Sequence, residues 1–171
     1  LKAEGSKGEF VFRNVDHPNQ ITVLSEVANQ KKARAFVSAD ETRTAMEHSG
    51  AEGSLAANLL EDTDGLSVCC KKDPRPTYVL GQISAENFDL WKDAFDEFRS
   101  TIKAAGSNGT FVFRNADDPT QITVMSEIDS LEKARAFVTA DALPKAMHHS
   151  GAKDAPNVNL LEDSDTSSLQ G

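Results

Sequence analysis

The chain repeats itself. From Gly8 it runs GEFVFRNVDHPNQITVLSEV, and from Gly109 it runs GTFVFRNADDPTQITVMSEI, an offset of 101. The same offset aligns KARAFVSAD from Lys32 with KARAFVTAD from Lys133. It also aligns AMEHSGA from Ala45 with AMHHSGA from Ala146, and NLLED from Asn58 with NLLED from Asn159, with no gap. A match this long implies a duplication, and a period of about 100 residues makes each copy domain-sized rather than one turn of a solenoid. Any fold must therefore accommodate the same pattern twice.

The copies are not equal in extent. Tyr78 to Thr101 of the second copy has no counterpart in the first, and LKAEGS from Leu1 aligns with IKAAGS from Ile102. The first copy is read as lacking its opening strand and helix. The natural protein is then expected to start about 25–30 residues earlier, the length of one strand plus one helix, or a second molecule donates those elements. The chain divides into repeat 1 at 1–62, a linker at 63–77 that holds Gly65, Pro74 and Pro76, repeat 2 at 78–163 and a tail at 164–171.

The second copy shows the full pattern. TYVLGQIS from Thr77 is a short run of strand formers. Phe88, Trp91, Phe95, Phe98 and Ile102 then recur at three- and four-residue spacing, which predicts an amphipathic helix with Asn87 as its N-cap and Gly106 at its end. TFVFRN and QITVMSEI flank an Asp/Pro turn and predict a hairpin. Ser130 caps a second helix, with Ala134, Phe137 and Val138 inward, and Asp141 opens a further turn. NVNLLED is the last strand. The order β-α-β-β-α-β is the ferredoxin-like arrangement, with helices on one sheet face only. The open face needs a cover, and the simplest is the sister copy. The expected fold class is α+β: tandem ferredoxin-like units forming a (pseudo)dimeric α+β barrel, either as an intrachain pseudo-dimer or as a homodimer.

These residues resemble a known group. FRNADDP, LEKARAF, AMxxSG and the closing LLED, around a helix that contains a tryptophan, are similar to the dimeric α+β barrel superfamily of antibiotic biosynthesis monooxygenase-like proteins. Within it the chain is most similar to small bacterial proteins labelled "cyclase". The resemblance covers the second copy and the visible part of the first. It implies a cavity for a small apolar ligand and, in some members, oxygenation of aromatic compounds without a cofactor. Trp91 sits inside the apolar stripe as a core residue, so haem chemistry is not carried over and no cofactor is expected.

Charge and cysteines narrow the partners. A net charge of −9 over 171 residues repels phosphate backbones and anionic lipids, so neither nucleic acid nor membrane is an expected partner. Cys69 and Cys70 are the only cysteines and are adjacent, a spacing that strains a disulfide between them. Free thiols fit a reducing compartment, so a cytoplasmic location is expected. Metal-ligand spacing, a phosphate-binding loop and a nucleophile elbow are all absent from the sequence, and no metal is expected.

Residues kept in both copies are the candidate site. His48 and His149 stand before a Ser-Gly helix end. They read either as a general acid/base in the cavity or as a cation at a helix C-terminus. His17 and His148 are not kept between copies and read as surface. Arg13 and Arg114 close the FVFR strands. If Phe111 and Phe113 pack on the helices, alternation turns Arg114 into the barrel, where it could bind a ligand carboxylate or enolate; otherwise it pairs with Glu127 or an acidic loop residue. Asn14 and Asn115 begin the turn or contact the ligand. Phe10, Phe12, Phe111 and Phe113 are read as core. The function expected is a small-molecule binding module; the alternative is a cofactor-free monooxygenase or cyclase acting on an apolar aromatic compound.

Overall fold

The computed structural model describes residues 6–27, 29–48, 56–63, 77–141 and 150–163. The linker residues 64–76 with both cysteines, the tail from 164 onward, and residues 142–149, which include His148 and His149, lie outside the described residues.

The elements in chain order are β1 (Ser6–Asn14), β2 (Ile21–Val27), α1 (Gln30–Val37), α2 (Asp40–His48), β3 (Leu60–Asp62), β4 (Thr77–Ser84), α3 (Phe88–Ala104), β5 (Ser107–Asn115), β6 (Gln121–Ile128), α4 (Leu131–Thr139) and β7 (Asn157–Asp163). The seven strands form one antiparallel sheet in the order β2-β1-β7-β4-β6-β5-β3. Its central four strands, β7-β4-β6-β5, are the ferredoxin-like order of the second copy. The first copy's hairpin extends one edge and β3 extends the other. The sheet curls into a half-barrel, and the fold is the expected α+β one.

Local sequence explains the elements. The Asn87 side chain accepts hydrogen bonds from the amides of Asp89 and Leu90 at 2.9 and 3.1 Å, which caps α3. Trp91, Phe95 and Ile102 of α3 are buried against the sheet. Gly106 follows with φ of 97°, a left-handed conformation that favours glycine, and an added Cβ would lie 2.8 Å from the Lys133 side chain. Ser130 caps α4 by accepting from the Lys133 amide at 3.3 Å.

Two apolar layers result. One lies between sheet and helices and contains Val79, Ile83, Trp91, Phe95, Val112, Val124 and Leu160. The other lies on the concave face and joins Phe12, Tyr78, Phe111, Phe113, Met125 and Leu161 from both copies, with Phe10, Leu24, Leu60 and Leu80 packed on it. This reverses the premise used for Arg114. The phenylalanines of β5 face the concave side, Val112 faces the helices, and Arg114 sits with Val112, its guanidinium 5.2 Å from the Phe88 ring centroid. Apolar residues occupy both faces of β5, so alternation alone could not assign the sides.

Candidate functional site

The first copy docks on the second through contacts that repeat at the offset of 101. Arg13 pairs in register with Glu162 between β1 and β7, and Glu61 pairs with Arg114 between β3 and β5. Arg13 Nη2 donates to Glu162 Oε1 at 2.6 Å, and Arg114 Nη2 donates to Glu61 Oε2 at 3.2 Å. Asn14 Nδ2 donates to Asn159 Oδ1 at 2.9 Å, and Asn115 Nδ2 donates to Asn58 Oδ1 at 3.3 Å. Arg34 of α1 binds Asp117 of the other copy's turn, with Nη1 donating to Oδ2 at 2.9 Å. Arg135 of α4 returns the contact to Asp16 at 2.6 Å. The amides of Val15 and Ala116 donate to the carbonyls of Leu160 and Leu59, both at 2.8 Å. Each contact has a partner related by exchange of the two copies.

This places the repeated motifs. FRNxD, KARAF and NLLED each supply one side of the seam, and a duplicated chain needs both sides in both copies. Arg13 and Arg114 are therefore ion-paired across the seam, with Glu162 and Glu61 rather than Glu127. Their side chains remain about half exposed, at 49% and 38%, where such a pair contributes little stability. Asn14 and Asn115 start the turns: each side-chain oxygen accepts from the amides two and three residues on. Asn14 is buried at 4% and its amide group is committed in every direction, including Nδ2 to Gln20 Oε1 at 3.2 Å. His48 is exposed at the end of α2, its Nδ1 2.8 Å from the Thr44 carbonyl of its own last turn. Sequence reasoning missed Asp16, Asp117, Glu61, Glu162, Arg34 and Arg135 as a set. Their presence in both copies was the available signal.

Electrostatics along the seam follow the pairing. A hydrogen bond from Arg34 holds Asp117 below the usual carboxylate range and holds Arg34 above its ordinary value. Hydrogen bonds from Thr120 hold Asp118 low as well. On α3, burial works to raise Asp96, but hydrogen bonds from Lys92 and Arg99 outweigh it and keep the carboxyl low.

The cavity is elsewhere. It lies under α3, between the helix and the sheet face of β4, β6 and β7, with a volume of about 50 Å³. Gly81, Trp91, Phe95, Phe98 and Val124 form its apolar wall, and Ser126 and Ser150 add hydroxyls. Neither Arg13, Arg114, Asn14, Asn115 nor His48 lines it. Gly81 gives the cavity its space: a Cβ there would meet nothing nearer than the Val124 carbonyl oxygen at 4.0 Å. Ser126 is buried at 3% and stands at the end of a hydroxyl chain. Its Oγ is 3.1 Å from Thr110 Oγ1, which is 3.2 Å from Ser107 Oγ, which donates to the Gly109 carbonyl at 3.0 Å. Each hydroxyl has one proton. With the Ser107 proton on Gly109, Thr110 donates to Ser107 and Ser126 donates to Thr110. The Ser126 oxygen is thereby left as an acceptor toward the cavity. Among the described residues no group of three or more His, Cys, Asp or Glu could hold a metal, and no helix is long and apolar enough to cross a membrane.

Solved structures share this architecture. An anthrone oxidase-like protein superposes over 100% of this chain and 82% of its own, with a TM-score of 0.71 and 13% identity. A protein from Fusobacterium nucleatum, provisionally described as a monooxygenase, matches over 95% of this chain and 77% of its own, with a TM-score of 0.64 and 9% identity. Another with the same provisional description, from Lactobacillus acidophilus, matches over 93% and 77%, with a TM-score of 0.53 and 12% identity. The likeness is one of fold. No family model and no curated protein matches the chain.

Proposed function

We propose that the second copy binds a small aromatic compound carrying one hydroxyl group in the cavity beneath α3. The observation that carries this is Ser126 Oγ, a buried hydroxyl left as an acceptor toward the cavity and set in a wall of mainly aromatic and aliphatic side chains. A few placed polar groups in an apolar pocket is the usual form of a small-molecule site. An aromatic hydroxyl would donate to Ser126 while its ring lies along Trp91, Phe95 and Phe98. The volume of about 50 Å³ is far below the roughly 300–1,000 Å³ of drug-sized ligand sites. A ligand with a single ring therefore fits only with outward movement of α3 or rotation of Phe98. The monooxygenase-type names of the proteins that share the fold are compatible with such a ligand. The described wall supports binding over chemistry, since no carboxylate, imidazole or amine is among its described residues.

Trp91 is the chain's only tryptophan and reports on this cavity directly. Phenol should quench its fluorescence saturably. Anisole, which lacks the donor, should bind at least several-fold more weakly, because it leaves the buried Ser126 acceptor unmatched. Gly81→Leu should abolish both by filling the space. Equal binding of phenol and anisole, or quenching unchanged by Gly81→Leu, would refute the assignment. Oxygen uptake on addition of an anthrone, above the protein-free rate, would shift the reading to catalysis.

A further inference from the structure

The hydroxyl chain that ends at Ser126 is built outside the cavity. Ser107 and Thr110 are not among the residues that line it, and both lie on β5, beside the strand that carries Ser126. In a regular strand, residues three positions apart point to opposite faces. Here the register of β5 on β6 shifts between Ser107, opposite Ile128, and Gly109, opposite Glu127, so that Asn108 is an extra residue. Such a bulge re-aims the side chains next to it. It brings Ser107 Oγ within 3.0 Å of the Gly109 carbonyl oxygen and 3.2 Å of Thr110 Oγ1. Thr110 in turn stands in register with Ser126, their hydroxyl oxygens 3.1 Å apart. The carbonyl fixes the direction of the chain, because it accepts and cannot donate. The first copy has the same bulge, between Ser6 and Gly8, and keeps Ser6 and Ser25 at the matching positions. Glu9 replaces Thr110 there, in register with Ser25, which is exposed. The hydroxyl chain thus accompanies the buried serine and the cavity.

Resting on the reading of the cavity as a site for aromatic hydroxyl compounds, we infer that Ser107 and Thr110 are positioning residues that determine its specificity. Neither touches the ligand. Together they commit the Ser126 proton away from the cavity. A ligand must then bring a proton of its own to the Ser126 oxygen. The accepted class is narrowed to compounds whose oxygen carries hydrogen. The matching ether or ketone has only lone pairs to offer and is rejected. Without the chain, the Ser126 hydroxyl turns and donates as readily as it accepts, and the cavity takes either class.

The test compares phenol with anisole in variants of the whole chain, read by Trp91 fluorescence. Thr110→Val keeps the shape of the side chain and removes its hydroxyl. It should lower the preference for phenol by at least about threefold, chiefly by tightening anisole, whose oxygen no longer leaves a buried polar group unmatched. Ser107→Ala should act the same way from one hydrogen bond further out. Thr110→Ser, which keeps the hydroxyl, should keep the preference. A role in packing alone would weaken both compounds together and leave their ratio unchanged. A ratio unchanged in Thr110→Val or in Ser107→Ala, or lost in Thr110→Ser, would overturn the inference while the site itself stands, provided the wild-type protein favours phenol. A wild-type protein without that preference, or a preference that survives Ser126→Ala, would overturn the site assignment and the inference with it. In the second case Ser150, the other hydroxyl of the wall, would be the acceptor.

Discussion

Gly81→Ala is expected to stabilise the protein, and the structure fixes the size of the effect. Gly81 lies within β4 on the cavity wall, and an added Cβ meets no atom nearer than 4.0 Å. Two contributions share the same sign. Restricting the unfolded chain stabilises by roughly 0.4–1 kcal/mol when the native backbone suits alanine. Placing one methyl group in an empty apolar space adds about 0.8 kcal/mol. The sum is about 1–2 kcal/mol, and at roughly 2–4 °C per kcal/mol for a chain of this size the melting temperature should rise by about 2–8 °C. Differential scanning calorimetry of both proteins measures this. The same variant should bind phenol more weakly, so stability and binding move in opposite directions, as at many functional sites. The opposite control is Gly106→Ala. There φ is 97° and the new Cβ would press on Lys133 at 2.8 Å, so a loss of about 1–3 kcal/mol is expected. A fall in melting temperature for Gly81→Ala would refute the reasoning, because the space beneath β4 would then not be empty.

Three further outcomes follow from the seam. Asn14→Ala should cost about 1–3 kcal/mol in chemical denaturation, since it strands buried partners, while Asn115→Ala, at a more exposed position, should cost less than about 1 kcal/mol. A double-mutant cycle on Arg13 and Glu162 should give a coupling of about 0.2–1 kcal/mol that fades in 1 M salt, where screening acts within about 3 Å; a coupling several times larger would show that the half-exposed pair is shielded from water. Asp96, Asp117 and Asp118 all titrate below the ordinary value of about 3.9 in the folded chain. Their contribution is therefore complete above pH 4 or so and is lost as pH falls through their depressed values. Melting temperatures followed by circular dichroism should hold from neutrality to about pH 5 and drop below about pH 4. A drop centred near pH 6 would point to another titrating group.

The sequence by itself determined what is local or repeated. The spacing of Phe88, Trp91, Phe95 and Ile102 marks α3, because a helix brings residues three and four apart to one side. Asn87, Ser130 and Gly106 mark its boundaries and those of its neighbours, because capping is a matter between residues a few positions apart. The element order implied the ferredoxin-like sheet, and the offset of 101 implied two like units that cover each other. The sequence could not say which way β5 faces. Phe111, Val112 and Phe113 are all apolar, so both faces of that strand look like a core, and only the packing of Val112 on α3 turned Arg114 toward Phe88. Nor could it pair Arg13 with Glu162 or Arg135 with Asp16. Those partners lie 149 and 119 residues apart in the chain, and the register of β1 on β7 brings them within reach. The cavity is likewise a tertiary product. Gly81 in a strand and Ser126 among isoleucine and valine are unremarkable in the chain. They become the space and the acceptor of a site only when α3 lies across β4 and β6 without filling the volume between them.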